Sequence, residues 1–190
     1  MDNRISIVFT VNNSYAQHCC VAMVSVLENN LTRSIDFYIL TDYFSDENKK
    51  LFVSVVERYG NNNRVEFKLV DHAIFEGFKL HIKYITCHTY YRLLIADLFP
   101  ELTRILYLDA DLIVDGSIAE LWKTPLEGYL YAGVNDSWIE RIKYKYSIGL
   151  QESDIYINAG VILMNLEAMR NENITALLMD VAEKYCDKFE

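Results

Sequence analysis

Alternation of short strand patterns with amphipathic helix patterns is the feature that most constrains the fold of this chain. The first strand pattern is the β-branched run from Ile5 to Thr10, and the second runs from Ile35 to Leu40. Helical stripes follow both, beginning near Tyr15 and after the capping residue Ser45. Because parallel strands need helical crossovers, this order predicts an α/β domain with a mostly parallel, twisted sheet and helices on both faces.

The alternation continues along the rest of the chain. Strand patterns occur at Val65 to Val70, Arg104 to Leu108, Tyr129 to Val134 and Gly160 to Met164, and helical patterns at Thr89 to Leu98, Ile118 to Trp122 and Ile174 to Phe189. No internal repeat or low-complexity segment interrupts them, and two prolines with seven glycines leave little room for linkers. Residues 1–190 are therefore expected to form one domain.

Composition restricts the classes of partner. A chain that is 52% hydrophobic can bury a substantial core, which excludes disorder. The formal charge of −9 argues against nucleic acid, because phosphate backbones bind basic faces. An acidic protein can still bind phosphate through a divalent cation held between carboxylates and the anion.

Cysteines and the N-terminus suggest an intracellular protein. Cys19, Cys20, Cys87 and Cys186 form no C-x-x-C pair, so reduced structural thiols are expected. The first apolar run is too short for a signal peptide or a membrane span, which predicts a cytoplasmic protein with no integral membrane segment. The sequons at Asn12, Asn30 and Asn173 are then expected to be chance matches.

Two carboxylates one residue apart follow the fourth strand pattern. Asp109 and Asp111, separated by Ala110, can turn toward one cation and would repel each other without it. Oxygen ligands favour Mn²⁺ or Mg²⁺, and ligands of parallel α/β sheets bind at the carboxyl ends of the strands. A solvated acidic turn is the alternative interpretation of so short a motif.

The surrounding residues carry a family resemblance. The stretch from Arg104 to Asp115, followed by Gly116-Ser117 and Leu121-Trp122, resembles the metal-binding region of the family 8 glycosyltransferases. These are retaining galactosyl- and glucosyltransferases, among them bacterial lipooligosaccharide enzymes and glycogenin. Three further blocks match in order: Ile7 to Thr10 with Asn12 and Tyr15, the T-Y-x-R-L segment Thr89 to Leu93, and the N-A-G-V segment Asn158 to Val161. The resemblance extends over nearly the whole chain.

The resemblance implies a GT-A type nucleotide-sugar-binding domain. Its expected reaction is transfer of galactose or glucose from UDP-galactose or UDP-glucose to a saccharide acceptor such as lipopolysaccharide, with retention of configuration. A Mn²⁺ (or Mg²⁺) ion would be held by Asp109 and Asp111. The donor-binding residues that it implies are Thr10, Val11, Asn12, Tyr15, Tyr84, Ile85, Arg92, Asp109, Ala110, Asp111, Asn158 and Ala159.

Roles follow by position in the family pattern. Tyr15 would stack on the uracil and Asn12 would meet its edge, while Arg92 and Asn158 would contact the donor sugar. Asp136 matches an acidic position near the acceptor, so Asp136, Asn158 and Arg92 are the expected catalytic residues. Structural roles are the alternatives: Tyr15 packing on the first helix, Arg92 pairing with an acid in the core, and Asp136 capping a helix that begins at Trp138.

The sequence also departs from the family. Asn12 stands where members commonly have Asp, and Tyr84 where some have His. The D-Q-D segment expected soon after Phe189, and a later loop with His and Lys, are absent. We therefore expect an N-terminal portion that binds metal weakly, transfers little sugar, and touches a membrane only peripherally through the missing C-terminal part. A non-catalytic nucleotide or saccharide-binding module is the second hypothesis. A phosphotransferase ranks last, because its acidic pair would follow the first strand, which ends at Thr10.

Overall fold

The computed structural model describes residues 4–78, 86–136 and 139–185, which form a six-stranded sheet flanked by helices. The strands are β1 (Arg4–Thr10), β2 (Ser34–Thr41), β3 (Arg64–Leu69), β4 (Arg104–Leu108), β5 (Tyr131–Asn135) and β6 (Ile157–Asn165). The α-helices are α1 (Ala16–Glu28), α2 (Asp46–Tyr59), α3 (Ile95–Leu98), α4 (Ala119–Trp122), α5 (Ile139–Ser147), α6 (Leu166–Asn171) and α7 (Ile174–Tyr185). Within these ranges, 3-10 helices cover Asn13–Tyr15, His72–Phe75 and Cys87–Leu94.

The sheet is mostly parallel, as predicted. Its strand order is β3-β2-β1-β4-β6-β5, and β1 to β4 pair in parallel. β6 runs antiparallel to both β4 and β5, and is alone in this among the described strands. The chain moves outward from β1 to β3 and then returns to place β4 on the other side of β1. The ends of β1 and β4 therefore flank a topological switch point, where such sheets bind ligands.

Apolar side chains are buried on both faces of the sheet, because successive side chains of a strand point to opposite sides. The face covered by α1 and α2 contains the strand residues Ile5, Ile7, Phe9, Ile35, Phe37, Ile39, Leu106, Leu108 and Leu163. The face covered by the 3-10 helix Cys87–Leu94, α3, α6 and α7 contains Val8, Tyr38, Leu40, Ile105, Tyr107, Ile162 and Met164. The prediction of helices on both faces is confirmed.

The predicted third helix is a 3-10 helix followed by one short α-helix. The α-helical interpretation of Thr89 to Leu98 was wrong for its first part, where the segment Cys87–Leu94 is a 3-10 helix. A 3-10 helix has three residues per turn, so residues i and i+3 align. This alignment buries His88 and Tyr91 together and places Arg92 over Thr89. The contacts of these side chains thus favour the 3-10 helix over the α-helix that the sequence pattern predicts.

Other boundaries differ by a few residues. β5 begins at Tyr131 rather than Tyr129, and β6 begins at Ile157, three residues before the predicted start. α7 is described to Tyr185, and the rest of that predicted helix lies outside the described residues, as does Cys186. The other three cysteines are free, and burial raises the pKa of the thiols of Cys19 and Cys20, as expected of structural thiols.

Side-chain amides fix the loops beside the sheet. Asn13 Oδ1 accepts hydrogen bonds from the Ser45 backbone N–H at 2.8 Å and from Asn48 Nδ2 at 2.9 Å, which joins the loop after β1 to the start of α2. The buried Asn30 accepts from the Ile118 backbone N–H at 3.0 Å, which joins the end of α1 to the segment after β4. A glycan on Asn30 is incompatible with this burial.

Candidate active site

The site lies where β1 and β4 end at the switch point. Val8 pairs with Tyr107 across these parallel strands, so the next residues on the same face, Thr10 and Asp109, leave the sheet side by side. Val11, the first residue after β1, is buried, and its backbone N–H donates to Leu40 O at 3.0 Å. The structure thus brings together the ends of the first and fourth predicted strands.

Asp109 receives two donors on one carboxylate oxygen. The Tyr107 hydroxyl donates to Asp109 Oδ1 at 2.7 Å, and Arg92 Nη2 donates to the same oxygen at 3.3 Å. The Asp109 side chain remains 39% exposed, whereas that of Arg92 is 19% exposed. The carboxylate is therefore anchored on the protein side and open on the other.

Arg92 links three segments of the site. Its Nε donates to Thr89 O at 2.9 Å and its Nη2 to Thr89 Oγ1 at 3.1 Å, within the 3-10 helix. Its Nη1 donates to Ala159 O at 2.9 Å on β6, and its guanidinium lies 4.4 Å from the Tyr107 ring centroid. The alternative role of Arg92 was to pair with an acid in the core; Arg92 does pair with an acid, but this acid is the partly exposed Asp109 of the candidate site.

Gly160 allows the β6 segment to approach Asp109. A Cβ on Gly160 would lie 2.9 Å from Asp109 Oδ2 and 3.1 Å from Asn158 Oδ1. The backbone closes the contact, since Asp109 N donates to Gly160 O at 2.8 Å and Gly160 N donates to Asn158 Oδ1 at 2.9 Å. Antiparallel pairing of β6 brings its first residues to the edge where β4 ends. The carboxylate and amide oxygens therefore converge around a position that only glycine can occupy without displacing them.

Burial keeps the Tyr107 hydroxyl protonated. Desolvation raises the pKa of Tyr107, the Arg92 charge acts against this, and the Asp109 charge and hydrogen bond add to it. The net direction is upward from 10.0, so the phenol stays a neutral donor at physiological pH. Asp109 thus keeps its hydrogen bond throughout the physiological range.

The loop after β1 presents Asn12 and Tyr15 at the same edge of the sheet. Asn12 Oδ1 caps the 3-10 helix by accepting the Tyr15 backbone N–H at 2.9 Å. The Tyr15 ring is 40% exposed and stacks on His18 with centroids 4.3 Å apart. Tyr15 therefore does pack on a residue of the first helix, as the structural alternative expected, while much of its side chain stays accessible.

The remaining predicted residues are placed less closely or lie outside the described ranges. Asp111 is exposed directly after β4, and Ala110 between the two acids is buried. Asp136 follows β5, where its backbone N–H donates to Tyr156 O at 2.8 Å. Tyr84, Ile85 and Trp138, the expected start of a helix capped by Asp136, lie outside the described residues. The helix α5 is described from Ile139.

Sequence reasoning missed Tyr107 and Thr89 as parts of this site. The signal for Tyr107 was available, because residues i and i+2 of a strand share a face and Asp109 is two residues further on. Thr89 could not be identified so easily, since its contact with Arg92 depends on the 3-10 conformation. Both residues hold side chains that the resemblance had assigned to the donor.

Side-chain oxygens lie near the switch point, but the described residues do not supply a complete set of metal ligands. No group of three or more His, Cys, Asp or Glu side chains placed to hold a metal ion occurs in the part of the chain that is described. The carboxylates of Asp109 and Asp111 with the amide oxygen of Asn158 are the oxygen-only donors that suit Mg²⁺ or Mn²⁺. These residues fit a hard divalent cation that takes further ligands from elsewhere.

Comparisons with known proteins agree with this arrangement. The structure of the galactosyltransferase LgtC in complex with donor and acceptor sugar analogues superposes with a TM-score of 0.89 and 32% identity, over 98% of this chain and 66% of that one. The lipopolysaccharide 1,3-galactosyltransferase of Salmonella typhimurium is 30% identical over 179 residues, which are 91% of this chain and 52% of that protein. General stress protein A of Bacillus subtilis is 28% identical over 191 residues, 98% of this chain and 65% of that protein. The chain thus spans between about half and two thirds of the length of these curated relatives.

The sheet, its switch-point site and the superposition define a glycosyltransferase domain of the GT-A fold. The model of glycosyl transferase family 8 matches residues 6–189, nearly the whole chain. The chain therefore belongs to glycosyl transferase family 8, and the family resemblance and fold class inferred from the sequence are confirmed. No helix in the described ranges is both long and apolar enough to cross a membrane.

Proposed function

We propose that this chain binds a UDP-hexose and that it serves retaining transfer of galactose or glucose to a saccharide acceptor such as lipopolysaccharide. The supporting observation is the convergence of Asp109, Asn158 and Arg92 around Gly160, whose absent Cβ leaves room for the two side-chain oxygens. These three residues lie on three separate segments: Arg92 on the 3-10 helix Cys87–Leu94, Asp109 directly after β4, and Asn158 on β6. The similar proteins named above include two galactosyltransferases, which supports the choice of a hexose.

The nucleotide would bind along the loop after β1. One face of the Tyr15 ring lies on His18, and the other face of this partly exposed residue would stack on the uracil base. The amide of Asn12 would meet the base edge with its NH₂ group and its remaining oxygen lone pair, since one lone pair already caps the helix. Thr10, Val11 and Ala110 would line the path from base to diphosphate through small side chains or backbone.

The diphosphate and sugar would lie between β4 and β6. A Mn²⁺ or Mg²⁺ ion bound by Asp109 and Asp111 would neutralise the departing phosphate as a Lewis acid. Asn158 offers an amide to the sugar hydroxyls, and Ala159 permits close approach of the backbone. Arg92 holds Asp109 in place and adds positive charge beside it. Asp136, at the end of β5, is our candidate for contact with the acceptor, and Tyr84 and Ile85 remain predicted donor contacts.

A Mn²⁺-dependent titration with UDP tests the proposal. In isothermal titration calorimetry, UDP should bind more tightly in the presence of Mn²⁺ than in the presence of EDTA. Asp111→Asn should remove that difference because a ligand of the cation is lost. Asp115→Asn changes the same exposed loop at a carboxylate outside the site and is the matched control. Equal UDP affinity in Mn²⁺ and EDTA for the parent chain would contradict metal-dependent donor binding.

That last result would favour the second candidate, a non-catalytic nucleotide or saccharide-binding module. The observation in its favour is that the described residues contain no group of three or more His, Cys, Asp or Glu side chains placed to hold a metal ion. A hydrolysis assay with UDP-glucose and UDP-galactose separates the two, since a binding module releases no sugar. A cytoplasmic location also remains a prediction.

A further inference from the structure

A chain of hydroxyl groups runs from β1 to the Asp109 carboxylate. Tyr107 shares a strand face with Asp109 and donates to its Oδ1 at 2.7 Å. The Thr10 hydroxyl lies 3.2 Å from the Tyr107 hydroxyl. A phenol has a single proton, and Tyr107 gives it to Asp109, so Thr10 must be the donor in the second bond. The polarity of the chain is therefore Thr10 to Tyr107 to Asp109.

The two oxygens of Asp109 consequently differ. Oδ1 takes the Tyr107 hydroxyl and the Arg92 Nη2, and the Arg92 guanidinium also rests on the Tyr107 ring. Oδ2 points to the space that Gly160 leaves free, near the Asn158 amide oxygen. A carboxylate held by both donors on one oxygen cannot rotate freely about its terminal bond without losing them.

Tyr107 is suited to this task because it is buried and cannot adopt other contacts. Its side chain is 1% exposed and packs in the cluster beneath the 3-10 helix. The hydroxyl is bonded to Asp109 Oδ1, whereas the Gly160 position lies at Oδ2, so the role of the hydroxyl is to orient the carboxylate.

We propose that Tyr107 is a positioning residue that orients Asp109, with Oδ1 fixed to the protein and Oδ2 directed at the cation and diphosphate of the donor. The inference rests on the proposed function, since it assigns the purpose of Oδ2 from donor binding. It predicts that the Tyr107 hydroxyl strengthens only the part of donor affinity that depends on the metal.

The variant Tyr107→Phe removes the hydroxyl and keeps the ring, its packing and the Arg92 contact. UDP affinity measured in Mn²⁺ should fall about tenfold, equivalent to about 1.4 kcal/mol, while UDP affinity in EDTA stays at the parent value. Mn²⁺ affinity, measured by the paramagnetic resonance signal of the free ion, should fall in parallel. Tyr38→Phe is the matched control, because Tyr38 is buried in the same cluster and does not contact Asp109.

Thr10→Val provides a second variant if Tyr107→Phe does not fold. It removes the donor to Tyr107 and should weaken metal-dependent UDP binding by about threefold, a smaller loss because the Tyr107 to Asp109 bond remains. Unchanged UDP affinity of Tyr107→Phe in Mn²⁺ would overturn the inference, as would an equal loss in Mn²⁺ and in EDTA. A parent chain that binds neither Mn²⁺ nor UDP would instead refute the proposed function, and the inference with it.

Discussion

Replacing Gly160 by alanine tests how closely the donor site depends on the placement of Asp109 and Asn158. The new Cβ would lie 2.9 Å from Asp109 Oδ2 and 3.1 Å from Asn158 Oδ1. Both contacts are shorter than ordinary van der Waals distances, so the carboxylate and the amide must move by a few tenths of an ångström. Asp109 resists this movement because Tyr107 and Arg92 hold its other oxygen.

Two effects oppose each other in the fold. Alanine in a strand is more stable than glycine by about 0.5–1 kcal/mol, but the displaced hydrogen bond costs more than this, so the free energy of unfolding of Gly160→Ala should fall by about 0.5–2.5 kcal/mol. Displacement of Asp109 and Asn158 should weaken at least one hydrogen bond to a charged group, worth about 1.5–3 kcal/mol. That loss corresponds to about a tenfold to hundredfold rise in the Kd for UDP in Mn²⁺.

Gly133→Ala is the matched control for this variant. Gly133 lies on β5, where an added Cβ would come 2.9 Å from Ile157 Cδ1, the flexible end of an apolar side chain. Its cost should appear in urea unfolding and not in UDP titration, whereas Gly160→Ala should also weaken UDP binding. Parent-like UDP affinity of Gly160→Ala in Mn²⁺ would refute the reasoning that the donor requires both oxygens where they now lie.

Three further predictions concern charge and capping. Arg92→Lys replaces the guanidinium by one ammonium group that cannot reach Thr89, Ala159 and Asp109 together, so UDP titration should show at least tenfold weaker binding. The control is Arg170→Lys, which alters an arginine that donates to backbone carbonyls and should leave UDP affinity unchanged. Ser45→Ala removes the cap of α2 and should lower the free energy of unfolding by about 1 kcal/mol in urea titration, and no loss would contradict the capping role. Partial burial acts to raise the pKa of Asp42, but the hydrogen bond and charge of His88 outweigh it and lower that pKa. A carboxyl with a lowered pKa stabilises the fold above its unfolded pKa, and this contribution is lost as pH falls through its folded pKa. The difference in unfolding free energy between the parent and Asp42→Asn should therefore be largest above pH 3.8 and shrink below it.

Much of the fold follows from local patterns in the sequence. The strands β1, β2 and β4 coincide with β-branched runs within one or two residues, because both of their faces are buried and almost every position must be apolar. The direction of β6 does not follow from its own residues. A buried apolar strand is compatible with either direction, and the long connection from Leu108 to Ile157 permits both.

The site could be predicted in part for a similar reason. Asp109 and Asp111 were identified because two carboxylates one residue apart repel each other without a cation, and because the surrounding residues resemble the metal-binding region of the family. The contact of Arg92 with Asp109 depends on the 3-10 geometry of Cys87–Leu94, which a pattern with steps of three and four does not separate from an α-helix. Thr89 was missed for that reason, whereas Tyr107 could have been found from strand periodicity.

The two-sided burial of β6 leaves its register to be decided by polar residues. Ile162 and Leu163 pack on opposite faces, so a slip of one residue would exchange one apolar side chain for another at little cost in burial. Asn165 resists such a slip at one end, where its amide donates to the carbonyl of Tyr129 and its Oδ1 accepts from Ala168 N. Gly160 resists it at the other end, since any other residue facing Asp109 would collide with it. The glycine that makes room for the Asp109 and Asn158 oxygens therefore also fixes the alignment of β6, so the geometry of the candidate site and the register of the strand depend on one position.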